Sequence, residues 1–573
     1  MTTAAPEGAT PAPGAAHPST PPAPRPSDGP ARAPAWAAAL AGLAAGVVTV
    51  GVGSLVAIVA GAPTDPLVAV GAAFVDATPA WLKEVAASTF GTADKAVLMI
   101  GEAVVLAALA ALAGVLAARR WAWGAAVVVV LGLVAMAAAL GRPDASWTAM
   151  IPSFAGTVAG LWTLKALVDR LPRDVTRPRR QRRADDPTGR GEDTGPTDVP
   201  EGQGRSADDG PATEVTRGTD RRRFLQAAGV ATALGLVAVA MGRLAGAAGR
   251  AVTAVRDTIR LPAPRTAAPA VPAGVDVGAD GVGPWATPPD DFYRIDTALV
   301  VPQVDPTTWT LRVHGLVEQE VELTWDELLA SDLVEAWVTL CCVSNPVGGD
   351  LVGNQRWLGL PVREVLARAR PLGDADMVLS RSADGWTAST PLAALTDDRD
   401  ALLAVGMDGA PLPVAHGFPV RLVVPGLYGY VSATKWVTEL EVTRFADATA
   451  YWTDRGWSPH GPVKTQSRID VPGDGAQLDA GEVVVAGTAW AQHRGITRVQ
   501  VQVDRGPWQD ATLADSGGID SWRQWRWTWT ATEPGRHELR VRAFDPDGPQ
   551  TGAAAGVLPD GATGYDYVQV QVG

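Results

Sequence analysis

Val338-Thr-Leu-Cys-Cys-Val-Ser-Asn-Pro-Val-Gly-Gly-Asp350 holds both cysteines of a 573-residue chain, side by side. The apolar, β-branched run before them reads as a strand, and the Ser/Asn/Pro/Gly run after them reads as a loop. A thiol therefore stands at the end of a rigid strand and faces loops, where binding and catalytic groups concentrate. Deprotonated, it is a soft metal ligand. A buried structural pair or a vicinal disulfide fits the same residues. Two adjacent cysteines exclude a disulfide scaffold, a CxxC redox pair, a cysteine zinc site and a cysteine-bound iron–sulfur cluster.

Working outward, strand-like stretches at 309–313, 334–340 and 420–424 alternate with helical ones at 325–330 and 362–369. This predicts an α+β domain over 291–462. Within it lies His416-Gly-Phe-Pro-Val-Arg421, followed by Val424-Pro-Gly-Leu-Tyr-Gly-Tyr-Val-Ser-Ala-Thr-Lys-Trp436. A His, an Arg, a glycine-rich turn, hydroxyls and a Lys so close together suit a phosphate cradle, and a polar hairpin with solvated charges fits them too. Over 463–573 apolar residues alternate with period 2, as in Val499-Gln-Val-Gln-Val503, with turn signals such as Asp545-Pro-Asp-Gly548 between. An all-β sandwich is expected there.

The amino-terminal part is different. Hydrophobic residues make up 47% of the chain and charged ones 19%. Residues 1–34 are Pro/Ala/Gly-rich and read as disordered. Residues 35–169 contain four apolar segments, at 36–62, 96–118, 121–140 and 147–168, each of about 20 residues or more and long enough to cross a bilayer as a helix. Arginines flank the first segment, fill the turn at Arg119 and Arg120, and crowd the stretch after the fourth. The loops at 63–95 and 141–146 are poor in them. The positive-inside rule places the N-terminus in the cytoplasm. Residues 170–220 read as a disordered cytoplasmic linker. Segment 221–249 opens on Thr219-Asp-Arg-Arg-Arg-Phe-Leu-Gln226, which resembles a twin-arginine export signal or the basic flank of a fifth span. Either way, everything after a tether at 250–290 lies outside the cytoplasm, at the cell membrane. No histidine falls in the spans and no CxxCH occurs, so the reading is that the chain carries no haem and exchanges electrons with an external carrier or a haem-containing partner. Glu102, inside the second span, is a candidate functional carboxylate. A net charge of -13 argues against nucleic acid as a partner.

The stretches Asp291-Phe-Tyr-Arg294, Trp309-Thr-Leu-Arg-Val-His-Gly315, Cys342-Val-Ser-Asn345, Trp357-Leu-Gly-Leu-Pro361, Ser382-Ala-Asp-Gly-Trp386, His416-Gly-Phe-Pro-Val-Arg421 and Lys435-Trp436 occur in order. Gly487-Thr-Ala-Trp490, Trp522-Arg-Gln-Trp525 and Val541-Arg-Ala-Phe-Asp545 follow. Together, residues 290–570 resemble the sulfite oxidase family of molybdenum-cofactor enzymes. The expected fold is therefore a helical transmembrane bundle of about five spans, read from the apolar segments, then the α+β domain and the all-β sandwich; the resemblance implies that the α+β domain binds molybdopterin and that the sandwich is immunoglobulin-like and could join two chains as a dimer. It implies that Cys342 ligates molybdenum and that Cys341 is structural. It assigns Ser344, Asn345, His416, Arg421, Ser432 and Lys435, with Phe292, Tyr293 and Arg294, to cofactor binding. Arg294, Arg356 and Arg455, joined by His460 or Lys464, are the expected cationic pocket for a small anionic substrate. The implied chemistry is oxygen-atom transfer, either oxidation of a substrate such as sulfite or reduction of an S- or N-oxide. A non-catalytic extracellular binding protein is the competing class. The family's sulfite-oxidising members carry an Arg-Asn-His run where this chain has Arg294-Ile-Asp-Thr297.

Overall fold

The structure, a computed structural model, describes residues 33–60, 64–79, 82, 94–142, 145–171, 212–244 and 247–573. Nearly all of the N-terminus expected to be disordered, and most of the 170–220 linker, lie outside these.

Among the described residues seven α-helices of 12 residues or more precede the first strand: Ala35–Ala60 (α1), Pro66–Ala77 (α2), Asp94–Arg119 (α3), Trp121–Leu140 (α4), Ile151–Asp169 (α5), Ala212–Leu244 (α6) and Ala247–Thr258 (α7). Within them and the 3-10 turn that opens α5, five stretches are long and apolar enough to cross a membrane: Ala35–Ala60, Lys95–Arg119, Trp121–Leu140, Trp147–Asp169 and Arg221–Met241. α1 is the hub, and small residues explain why. A Cβ on Gly42 would stand 2.0 Å from the Ala110 carbonyl oxygen, and one on Gly114 would stand 2.0 Å from that of Ala38. Helices whose exposed faces are as greasy as lipid gain little by burying grease, so they associate through such close backbone contact. Phe224, from the twin-arginine-like stretch, is fully buried beside Ala37, Ala38, Ala41 and Leu167. That stretch is thus part of the helical bundle.

α2 lies where a loop was expected. Asp65 caps it, accepting from Leu67 N at 2.9 Å and Val68 N at 3.3 Å, and Pro66 opens its first turn. Its 12 residues extend about 18 Å, too short to cross a bilayer.

The α+β domain is built on two sheets. The first orders its strands Val321–Thr324 (β2), Thr310–Gly315 (β1), Val437–Thr443 (β10), Met377–Ser382 (β5) and Thr387–Pro391 (β6). The second orders Val334–Cys341 (β3), Val352–Pro361 (β4), Leu402–Met407 (β7) and Ala410–Pro411 (β8), with Arg421–Val423 (β9) also on β7. Its two faces bury different residues. Cys341, Leu358, Leu360, Leu403 and Val405 enter the main core with Leu311, Val313 and Leu440. Ala336, Val338, Leu340, Trp357 and Leu402 pack instead with Phe292, Phe418 and Val423. This alternation decides which side chains reach the site.

Downstream, two sheets built on Gly481–Trp490 with Arg523–Ala531, and on Arg498–Val503 with Gly535–Asp545 and Tyr567–Val572, close over a core of Val485, Trp525, Val499, Val541 and Val570. The expected tether at 250–290 is not free. It begins as α7, then Thr266 bridges to Val334 and Trp285 is buried, its indole donating to Trp522 O. Its Pro/Ala/Gly composition hid one aromatic side chain large enough to fasten the segment between the two folded units.

Candidate functional site

Cys341 ends β3 inside the main core, and Cys342, one residue on, is half-buried. Both are free thiols. The loop after them is shaped by Asn345, whose Oδ1 accepts from Leu351 N at 2.9 Å while its own N–H donates to Cys342 O at 3.1 Å. Cys342 N donates to Leu351 O at 2.9 Å. Burial pushes the Cys342 thiol up, and hydrogen bonds from the backbone and hydroxyl of Ser344 oppose this by favouring the thiolate. Burial, then the Cys342 charge, pushes the Cys341 thiol well above its ordinary value.

Across from Cys342 stands an aromatic group. Phe292 stacks on Tyr293 at 5.2 Å between centroids and meets Trp357 and His416 edge-on at 5.6 and 5.7 Å. Burial first, then the two thiols, raise the Tyr293 hydroxyl well above its usual range. Tyr293 therefore stays a neutral phenol, able to donate.

Behind this group lies a cluster of cations. Arg421, on β9, is 5% exposed. Its Nη1 donates to His416 O at 3.2 Å, its Nε donates to Leu422 O at 3.3 Å, and its guanidinium lies 5.1 Å from the Trp357 ring. Lys435 donates to Asp296 Oδ2 at 2.5 Å and to Ala415 O at 3.3 Å. Arg294 donates to the same carboxylate from Nε at 2.9 Å. Burial, then Arg421, Lys435 and Arg294, push His416 down to about 3, so it is neutral at pH 7. Burial pushes Lys435 down to about 8, with Asp296 opposing. For Asp296, burial would raise the carboxyl, but Lys435 and Lys95 outweigh it and hold it well below the usual range. Gly417 makes the assembly possible: its φ is +114°, and a Cβ there would come 2.9 Å from Arg421 Cβ and 3.2 Å from Lys435 Cβ.

Of the residues expected at the site, the fold gathers Phe292, Tyr293, Arg294, Cys342, Ser344, His416, Arg421 and Lys435. Asn345 is beside Cys342, holding the loop. Ser432 is buried in a short helical turn, Gly429–Ser432 (α11), and its hydroxyl donates to Tyr428 O at 2.9 Å. Arg356 is not brought in. It sits between Glu335 at 3.7 Å and Asp408 at 3.9 Å, on the face of β4 opposite Trp357. Arg455 is turned toward the helical region, donating to Asp76 O at 3.1 Å and Tyr451 O at 2.7 Å. Lys464 is held by Asp560 and Gly561 O, and His460 packs on Phe445. Asp296 and Trp357 join the site without a local sequence motif that marks them as cofactor contacts. The alternation of β4 signals Trp357, since a strand that faces Arg356 one way faces its neighbour the other.

The cluster fits an anionic cofactor. Arg421 is buried, yet forms no ion pair among the described residues. An uncompensated buried guanidinium is costly, and an anion in the cradle removes that cost. No group of three His, Cys, Asp or Glu side chains that could hold a metal gathers among the described residues.

Residues 298–452 match the family described as the oxidoreductase molybdopterin binding domain. The chain is 31% identical over 284 residues to the mitochondrial sulfite oxidase of Mus musculus, covering 42% of this chain and 51% of that protein. It thus spans about half the length of the sulfite oxidases it matches. It is 28% identical over 311 residues to a nitrate reductase [NAD(P)H] of Hordeum vulgare, covering 43% and 34%. It is 31% identical over 160 residues to YuiH, an uncharacterized oxidoreductase of Bacillus subtilis, covering 27% of this chain and 76% of that one. With a thiol at a strand end, an anion cradle beside it and these relatives, the chain belongs to the sulfite oxidase family of molybdopterin-binding oxidoreductases.

Proposed function

We propose that this protein is a membrane-anchored molybdenum-cofactor oxidoreductase that transfers an oxygen atom to or from a small substrate. The observation that carries the reading is Arg421, buried without a carboxylate beside Lys435 and across from Cys342. Cys342 is the one protein ligand proposed for molybdenum. His416, Arg421, Lys435 and Arg294 hold the pterin and its phosphate, with Tyr293 as a neutral donor. A bound molybdenum–molybdopterin would supply two-electron oxygen-atom transfer. The chain's residues then have three tasks. Ser344 stabilises the thiolate of Cys342. Phe292 and Trp357, both buried, would exclude water and support His416 and Arg421 from behind. The cations bind anionic groups, and His416, kept neutral, can hold a proton at one ring nitrogen and accept at the other.

The five apolar helices support insertion in the membrane with the N-terminus cytoplasmic and the oxidoreductase domain outside. α6 is read as a retained fifth span, because Phe224 is packed in the bundle. The sandwich is read as immunoglobulin-like and as a dimerisation surface. The electrons go to or from an external carrier or a haem-bearing partner. Sulfite oxidation is the first substrate reading. Reduction of a neutral S- or N-oxide is favoured by one feature: Arg356 and Arg455, expected to bind a substrate anion, are engaged with Glu335 and Asp76 instead.

Metal analysis of the full-length protein tests the reading: about one molybdenum per chain is expected, and its absence would sink the proposal. Cys342→Ser should then lower turnover by more than the about 10–100-fold that losing an outer-shell partner costs, while Cys341→Ser keeps turnover and loses stability. A panel of sulfite, methionine sulfoxide and N-oxides, with dye acceptors and donors, settles direction.

A further inference from the structure

We propose that Lys95, at the first turn of α3 in the helical region, is a positioning residue of the cofactor cradle in the oxidoreductase domain. It acts through Asp296, and it rests on the reading of that cradle as the cofactor site only for its consequence in catalysis.

Asp296 is 7% exposed in its side chain and receives three cations. Lys95 Nζ takes Oδ1 at 2.5 Å, Lys435 Nζ takes Oδ2 at 2.5 Å, and Arg294 reaches both oxygens at 2.9 and 3.4 Å. Lys95 also donates to Ala298 O at 2.8 Å. The chain has five lysines among its 48 basic residues. Two of the five, 340 positions apart, meet on this one carboxylate. A cation in the first turn is unfavourable to the helix dipole, so the helix alone does not call for Lys95 at this position. Its place is explained by what it reaches.

The contact is part of a broader docking face. Asp76, at the far end of α2, accepts from Tyr451 Oη at 2.9 Å and from Arg142 Nη1 at 2.9 Å, and its carbonyl accepts from Arg455. Arg142 also donates to Asp384 O at 3.3 Å. Between the two polar points, a Cβ on Gly71 of α2 would stand 3.0 Å from a Leu299 methyl. Asp76, Lys95 and Arg142 all come from the loop sides of the helices expected outside the cytoplasm, the side on which the oxidoreductase domain is expected. The helical region therefore grips segments 294–299 and 451–455 together. Lys95 holds Oδ1 of Asp296, which Arg294 Nη2 reaches only at 3.4 Å, while Lys435 Nζ and Arg294 Nε share Oδ2. Without Lys95, Asp296 turns to balance its two remaining cations, and both move relative to Arg421.

The test uses the full-length chain in detergent, as wild type, Lys95→Met, Lys95→Arg and Asp76→Asn. Hydrogen exchange of the backbone at 294–299 is the primary readout, since it needs no molybdenum. Lys95→Met should raise exchange there at least tenfold and Lys95→Arg should restore most of the protection. Asp76→Asn should loosen 451–455 with less effect on 294–299. Molybdopterin retained after dialysis should fall severalfold in Lys95→Met and recover in Lys95→Arg. Unchanged exchange at 294–299 in Lys95→Met overturns the proposal. In the wild type, carbodiimide coupling followed by peptide mapping should join Lys95 to Asp296, and failure to find that amide overturns it as well, whatever the variants do. If the wild type holds no molybdenum while the exchange pattern is as expected, the functional reading fails and the positioning contact stands.

Discussion

Arg421 in the α+β domain and Arg494 in the sandwich are both largely buried and both donate to main-chain carbonyls, but their charges are met differently. Arg494 Nε donates to Asp545 Oδ2 at 2.8 Å, and its Nη2 reaches Val463 O and Thr465 Oγ1. Asp545 accepts in turn from Asp547 N and Gly548 N. The sandwich's histidines are paired too, His493 with Asp520 and His537 with Asp504. Arg421 forms no ion pair among the described residues, and Asp296, which serves its neighbour Lys435, is shared by Lys95, Lys435 and Arg294. On the proposed reading, the difference separates charge that closes a fold from charge kept open for a ligand. The largest expected effect follows. Arg421→Met should weaken cofactor binding by at least about 30-fold, since losing one partner of a buried charge pair costs about 2–5 kcal/mol. Arg494→Met should leave molybdenum content unchanged and cost about 1–3 kcal/mol of stability. Equal molybdenum content in the two purified variants would break the comparison.

A smaller effect distinguishes the same regions through glycine. Gly417→Ala combines a left-handed backbone with a Cβ 2.9 Å from Arg421 Cβ. The strain costs about 1–3 kcal/mol, and its relief moves Arg421 or Lys435. Gly548 in the sandwich has φ +145° but nothing within 4 Å of an added Cβ. Gly548→Ala should therefore lower the unfolding midpoint alone, while Gly417→Ala lowers both the midpoint and cofactor retention.

Much of this arrangement was legible in the amino-acid order. The long apolar helices announce themselves because about 20 nearly uncharged residues in a row have few uses other than a helix long enough to cross a bilayer. α2 escaped because its 12 residues, apolar but for Asp76, lack that length. Trp285 escaped because its Pro/Ala/Gly surroundings read as a linker. In the site, Arg421, Lys435 and His416 stood in motifs of local sequence. Asp296 stood two residues from Arg294, yet nothing local marks it, because its role depends on Lys95, which is 201 residues away. Arg356 was legible as a cation, but its face was legible only from strand alternation against Trp357. Arg455 was drawn to Asp76, a partner that only the docking of the helical region supplies.

The smallest effect is one of pH, and it runs in opposite directions in the two regions. His416 is held down to about 3 by burial and by the cations around it. Between the unfolded value of about 6.5 and that value the unfolded chain binds the proton and the folded one does not. Stability from His416 is therefore present above pH 6.5 and lost as pH falls toward 3. His537 is raised, mainly by its hydrogen bond with Asp504, against burial. Its contribution is fully present below pH 6.5 and fades as pH rises through the raised value. Unfolding of the full chain followed by tryptophan fluorescence should show His416→Asn flattening the acid limb, and His537→Asn costing more at pH 6 than at pH 9. A bound anion in the cradle sharpens the contrast. It would favour protonated His416 and so raise its titration toward neutrality, while His537, in the closed sandwich, should titrate identically with and without cofactor. If loading with cofactor leaves the His416-dependent limb in place, the anion does not sit against His416. The cradle would then extend from Arg421 toward Lys435 only.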